Sequence, residues 1–159
     1  MNAARTSLSI RIVTSVVLTI VAALCIAAMR EPRLLAAAAV LAGISLLCYL
    51  LAPVGYDVAD GILTVRLRLG KRRFGPIIRC SRVTQRVSFS IRLFGNGGLF
   101  AGTGIFWNRS YGVYRAYVTS ARLADLVLVE TAERRILVSP MDPAEFVGSC
   151  PTPTSGRGA

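Results

Sequence analysis

Arg66, Arg68, Lys71, Arg72 and Arg73 put five cations into eight positions, a density suited to holding phosphates or other anionic groups. They belong to a wider asymmetry. Residues 61–124 carry 12 basic side chains and no acidic one, against 4 basic and 3 acidic before them and 3 and 5 after. Arginine supplies 18 of the 19 cations, so compositional bias, or a segment that is basic only to set membrane topology, explains the run as well as headgroup contact does.

Other residues with chemical potential are few. Histidine is absent, which removes the commonest general base and the commonest metal ligand. Gly97 and Gly102 have the spacing that opens a phosphate loop, but Thr103 stands where that motif needs Lys and no strand–loop–helix pattern surrounds it. Turns needing positive φ account better for this glycine cluster. Cys80, between Arg79 and Arg82, has cationic surroundings but no basic partner, and reads as structural or incidental. Cys150 is expected to be free in the tail. Cys25 and Cys48 lie at depths too different for a disulfide. The acids of the soluble part have structural uses in view, such as Asp142 and Glu145 in a helix cap, and Glu130 and Glu133 beside a hairpin with Arg134 and Arg135. No catalytic residue, metal site or cofactor site is expected.

Positioning these residues falls to two kinds of element. The chain is 53% apolar and only 17% charged, with mean hydropathy +0.56, yet its net charge is +11. Greasy and basic characters must therefore sit in different places, which fits poorly with an ordinary soluble enzyme, a zinc module or a disulfide-stapled secreted domain. Residues 12–29 and 34–51 are uncharged stretches of 18 residues each, about 27 Å as helices, near the thickness of a bilayer core. Four residues, Arg30, Glu31, Pro32 and Arg33, join them, so they predict an antiparallel transmembrane hairpin. Ala23 with Ala27, and Ala39 with Gly43, give the small-residue spacing of close helix packing. A cleaved signal peptide does not explain the second stretch. Residues 1–11 are then an N-terminal segment.

Beyond Pro53 the pattern alternates. Residues 62–69 read as a half-buried strand with Leu63, Val65, Leu67 and Leu69 on one face, followed by a turn and a return over 72–78. Further strands are expected over 87–93, 105–107, 111–119, 126–130 and 134–138. A short helix starts at Asp142-Pro143-Ala144-Glu145, with Asp142 capping, Glu145 completing a capping box and Phe146 and Val147 as core anchors. Residues 148–159 are expected to be a disordered tail.

Three segments carry a resemblance: Tyr56-Asp57-Val58 leading to Gly61-Ile62, Arg92-Leu93-Phe94-Gly95-Asn96-Gly97-Gly98-Leu99-Phe100, and Ser139-Pro140-Met141-Asp142-Pro143-Ala144-Glu145-Phe146. Together they resemble the bacterial pleckstrin-homology-like (PH-like) domains. The resemblance implies that residues 54–147 form a mainly β, seven-stranded, strongly bent barrel closed by a C-terminal helix, in a family whose members often follow membrane spans. It also implies that anionic headgroups, where bound, are held by the first strand–turn–strand, here assigned to Arg66, Arg68, Lys71, Arg72 and Arg73.

The expected function is a non-enzymatic binding or scaffolding module at the cytoplasmic membrane surface, with anionic lipid or a protein as partner. The alternative is a small subunit of a larger membrane assembly whose hairpin makes the contacts. Membrane tethering argues against nucleic acid. Seven cations flank the spans on the side of the termini, Arg5, Arg11, Arg66, Arg68, Lys71, Arg72 and Arg73, against Arg30 and Arg33 in the loop. That bias predicts a multi-pass inner-membrane protein with both termini cytoplasmic.

Overall fold

The computed structural model describes residues 2–4, 7–83, 91–97, 99–120 and 122–151. Part of the expected 87–93 strand and the tail from 152 onward lie outside the described residues.

Two long helices open the fold: α1 (Leu8–Ala28), then a 3-10 turn (Pro32–Leu34) leading directly into α2 (Leu35–Leu50). Pro32 occupies the first position of that turn, where a missing N–H is harmless. α1, and α2 taken together with the turn before it (Pro32–Leu50), are long and apolar enough to cross a membrane. They pack side by side, with Val17, Val21, Leu24, Ala27 and Ala28 of α1 and Ala38, Leu41, Ala42 and Ser45 of α2 buried or half-buried. This alternating spacing of three and four residues keeps one stripe of each helix turned inward. Of the expected small-residue pairs only Ala27 is half-buried. Ala23, Ala39 and Gly43 are exposed, and a Cβ on Gly43 would meet nothing within 4 Å. Spacing by four permits close approach but does not by itself select the face. Ile12, Val16, Ile20, Val40, Ile44 and Leu47 stay exposed, an apolar surface that asks for a non-aqueous cover.

The β domain contains β2 (Pro53–Ala59), β3 (Ile62–Leu67), β4 (Lys71–Phe74), β5 (Ile77–Arg82), β6 (Ile91–Gly97), β7 (Gly102–Asn108), β8 (Gly112–Val118), β9 (Val127–Thr131) and β10 (Arg135–Val138), then a helix α3 (Pro143–Gly148). A two-residue strand at the N-terminus, β1 (Asn2–Ala3), pairs with β2. The strands form two sheets, ordered β1-β2-β3-β4 and β5-β9-β10-β8-β7-β6. The domain is therefore not the closed, seven-stranded barrel expected. The expected return strand over 72–78 is two strands, because Pro76 has no N–H for a ladder, and β4 and β5 end up in different sheets. A parallel pair also enters: β10 inserts between β9 and β8, running parallel to β8.

Alternation builds the core. Tyr56, Leu63, Val65 and Leu67 face Ile77, Val127, Val129, Ile136, Val138 and Phe146 across the two sheets. Leu128 and Leu137, on the opposite face of β9 and β10, pack with Tyr114, Ala116 and Leu126 in a second cluster. At the first hairpin, Asp60 and Gly61 both have positive φ, 51° and 70°, as a tight Asp-Gly turn between twisted strands requires.

The N-terminal segment is bonded into the β domain, which its sequence does not signal. Ala4 N donates to Val54 O at 3.2 Å, Ser7 N to Thr119 O at 2.8 Å, and Met141 N to Ala3 O at 2.9 Å. Both ends of the helical hairpin are thus bonded into the β domain.

Candidate functional site

The β3–β4 hairpin carries the five expected cations, but they do not share one surface. Arg66 pairs with Lys71 and Thr64 with Arg73 across the ladder, whereas Arg72 is opposite Val65. Paired residues point to the same side of a sheet. Arg66, Lys71 and Arg73 therefore lie on the outer face, and Arg72 lies on the face of the core residue Val65. Arg66 also approaches Asp57, at 3.7 Å. Arg68 lies elsewhere again, its guanidinium 4.2 Å from the centroid of the Tyr49 ring on α2, a cation–π contact.

This hairpin is fastened to the end of α2. Leu69 N donates to Leu50 O at 2.9 Å and Arg68 N to Ala52 O at 3.2 Å. Those bonds satisfy carbonyls that a helix terminus otherwise leaves open. Lys71, Arg72 and Arg73 form no ion pair among the described residues, whereas Arg134 and Arg135 are matched by Glu133 and Glu130 at 3.1 and 3.0 Å. Arg72 reaches a cleft of about 510 Å³ between α2 and the β domain.

The glycine-rich segment is a hairpin. Gly95 of β6 and Gly104 of β7 face each other in the ladder, and a Cβ on Gly104 would overlap the Phe94 carbonyl oxygen. No helix follows Gly102, which starts β7, so close strand approach is the reason for these glycines. At the tip, Asn96 Oδ1 accepts from Leu99 N at 3.1 Å. Phe100, at φ 62°, donates its N–H to Thr14 Oγ1 at 3.0 Å and sets its ring edge-on to Tyr49 at 5.2 Å.

The cysteine expectation for Cys150 fails. Cys80 and Cys150 form a disulfide with Cα atoms 6.2 Å apart. The fold turns the end of α3 back onto β5, so residues 70 positions apart meet; nothing in the local sequence of either cysteine signals this. Cys25 and Cys48 are free. Asp142 caps α3, accepting from Ala144 N at 2.8 Å and Glu145 N at 3.0 Å, and these bonds lower its pKa.

A buried polar network was missed by sequence reasoning. The Tyr56 hydroxyl, in the core, donates to Tyr117 O at 2.6 Å and lies 3.5 Å from Ser139 Oγ, which accepts from Thr119 N at 2.8 Å. Burial pushes the Tyr56 phenol up to about 12. Among the described residues, no three His, Cys, Asp or Glu side chains gather as a metal site.

A family model described as Bacterial PH domain matches residues 54–150. The chain belongs to the bacterial PH domain family. The matched region opens with β2 and ends at Cys150, so the disulfide lies wholly within the PH domain. It also makes the cationic turn the second of the domain, after Asp60-Gly61, rather than the first. Neither a curated protein nor a solved structure matches the chain.

Proposed function

We propose that this chain is an integral membrane protein whose two apolar helices span the bilayer and hold a PH domain flat against the membrane surface, as a non-enzymatic module binding anionic lipid headgroups. The observation that carries the reading is the bonding of the β3–β4 turn to Leu50 and Ala52 at the end of α2. If α2 crosses the membrane, that turn sits at headgroup depth, and Lys71, Arg72 and Arg73 follow it immediately. Each cation near an anionic surface contributes about 1 kcal/mol before screening. Arg68 over Tyr49 fits the interfacial belt, where an aromatic ring and a cation share one depth.

The test uses full-length protein in nanodiscs containing phosphatidylglycerol and phosphatidylcholine. Lys71→Ser/Arg72→Ser/Arg73→Ser should reduce the anionic lipid retained on mild extraction more than Arg134→Ser/Arg135→Ser. Equal losses mean that net charge alone acts, and no anionic enrichment in the parent protein removes the headgroup reading.

For the side of the membrane, the seven-to-two excess of cations favours both termini in the cytoplasm. The Cys80–Cys150 disulfide favours the opposite orientation, because such bonds persist in oxidising compartments. Labelling of an introduced Arg33→Cys from outside intact cells supports the first, and labelling of Ala159→Cys instead supports the second.

A further inference from the structure

The cleft beside α2 is shaped for more than a headgroup. Its helix wall is Ile44, Leu47 and Leu51; its domain wall is Phe94 and Leu99 with the bare backbone of Gly95 and Gly104. Ile44, Leu47 and Phe94 are 51%, 55% and 77% exposed although they line a concavity, so their apolar faces lack a protein partner. The domain wall is held in place against the helices through Phe100 on Thr14 and Tyr49. Arg72 is the one charged residue of the lining, and it has no ion pair among the described residues. It follows by two residues Gly70, in the turn bonded to Leu50, so the charge lies toward the C-terminal end of α2 while the apolar wall runs back along the helix. From Ile44 to Leu51 that wall is about 10 Å long.

The geometry points to a site for one anionic phospholipid drawn from the bilayer. One acyl chain lies along α2 between Ile44 and Leu51, against Phe94 and Leu99, and the phosphate meets the Arg72 guanidinium. An apolar trough with a single unpaired cation at one end is the complement of an amphiphile with a single anionic head. Guanidinium suits phosphate because its planar fork bonds two oxygens together. A volume of about 510 Å³ lies in the range that buries a substantial part of a small ligand. The inference rests on the reading that α2 spans the bilayer, since only then does the cleft open sideways into acyl chains. It goes beyond that reading by assigning one bound lipid with a defined chain position in place of a general attraction to charge.

The experiment is photocrosslinking of the full-length protein in nanodiscs holding equal amounts of phosphatidylglycerol and phosphatidylcholine, each in turn carrying a photoactivatable acyl chain. Adducts should concentrate on peptides containing Leu47, Phe94 and Leu99, with phosphatidylglycerol preferred. Leu47→Trp, which fills the cleft from an exposed position, should cut those adducts several-fold. Arg72→Gln should lower the preference for phosphatidylglycerol about fivefold, the worth of one cationic contact, and keep the phosphatidylcholine adducts. Circular dichroism and urea unfolding show that each variant is folded. Adducts on Leu47 no more frequent than on the outward-facing Ile12 and Val16 of α1, or a lipid preference unchanged in Arg72→Gln, overturn the site. Absence of acyl adducts on α1 as well overturns the spanning reading itself, a separate result.

Discussion

Removing the Cys80–Cys150 crosslink probes how the C-terminal helix is held. The bond joins positions 70 residues apart, and closing a loop of that length in the unfolded chain is worth roughly 4 kcal/mol at 25 °C. Residual structure in the unfolded chain reduces this figure. The helix it anchors, α3, has six residues, too few to persist by helix propensity alone. What else holds α3 is the Asp142 cap and Phe146, which is 1% exposed and packs edge-on to Tyr56 with ring centroids 6.4 Å apart. We expect Cys80→Ser/Cys150→Ser to lose about 2–4 kcal/mol, a drop in Tm on the order of 10 °C or more for a domain of this size. Trp107, the sole tryptophan, lies on β7 and reports unfolding of the PH domain apart from α3. The assay is urea unfolding of full-length protein in mild detergent, followed by Trp107 fluorescence, with reduced parent protein as the second arm. Reduced parent and double variant should coincide. A loss below about 0.5 kcal/mol, within the range of an ordinary surface substitution, refutes the reasoning. So do four reactive thiols in denatured, unreduced protein.

Two further outcomes follow from the core and the glycine hairpin. Burial raises Tyr56 from 10.0 to about 12, so between those pH values the unfolded chain releases a proton that the folded chain keeps; this contribution is complete below pH 10 and falls as pH rises toward 12, by up to about 2.7 kcal/mol. Tyr56→Phe should remove that alkaline slope while costing about 1 kcal/mol at neutral pH through the lost bond to Tyr117 O, both read from urea titrations across pH. Gly104→Ala forces a Cβ against the Phe94 carbonyl at φ 153°, and should destabilise the PH domain by about 2 kcal/mol or more, with faster amide exchange concentrated in β6 and β7.

Much of the local structure was legible. The hairpin of helices, the 62–69 strand, the β9–β10 pair and the Asp142 cap all follow from patterns within a few residues: uninterrupted apolarity, alternation, a short loop, an acid before Pro143. The strand β2 and its turn could have been found from Asp60-Gly61, a strong hairpin signal. The five-cation site was only half legible. Density along the chain is visible in sequence, but the division of Arg72 from Arg66, Lys71 and Arg73 depends on strand register, and the capture of Arg68 by Tyr49 depends on where α2 ends relative to β3.

By itself the sequence determined which stretches are apolar or basic and where most of the helices and strands fall, because these depend on composition and on periods of two or 3.6 residues. The family came through the resemblance of three segments, 56–62, 92–100 and 139–146. The tertiary structure decided everything that joins distant positions. The chain's division at Pro76 separates β4 from β5 and leaves two sheets in place of a barrel. The N-terminus adds β1 to β2 and so binds the start of α1 into the PH domain. Cys80 and Cys150, each unremarked in its own surroundings, meet when α3 folds back on β5. The cleft beside α2 likewise has walls drawn from six separate elements. Such contacts arise from burying one element's face on another, a free energy set by the three-dimensional match of surfaces rather than by any local run of residues.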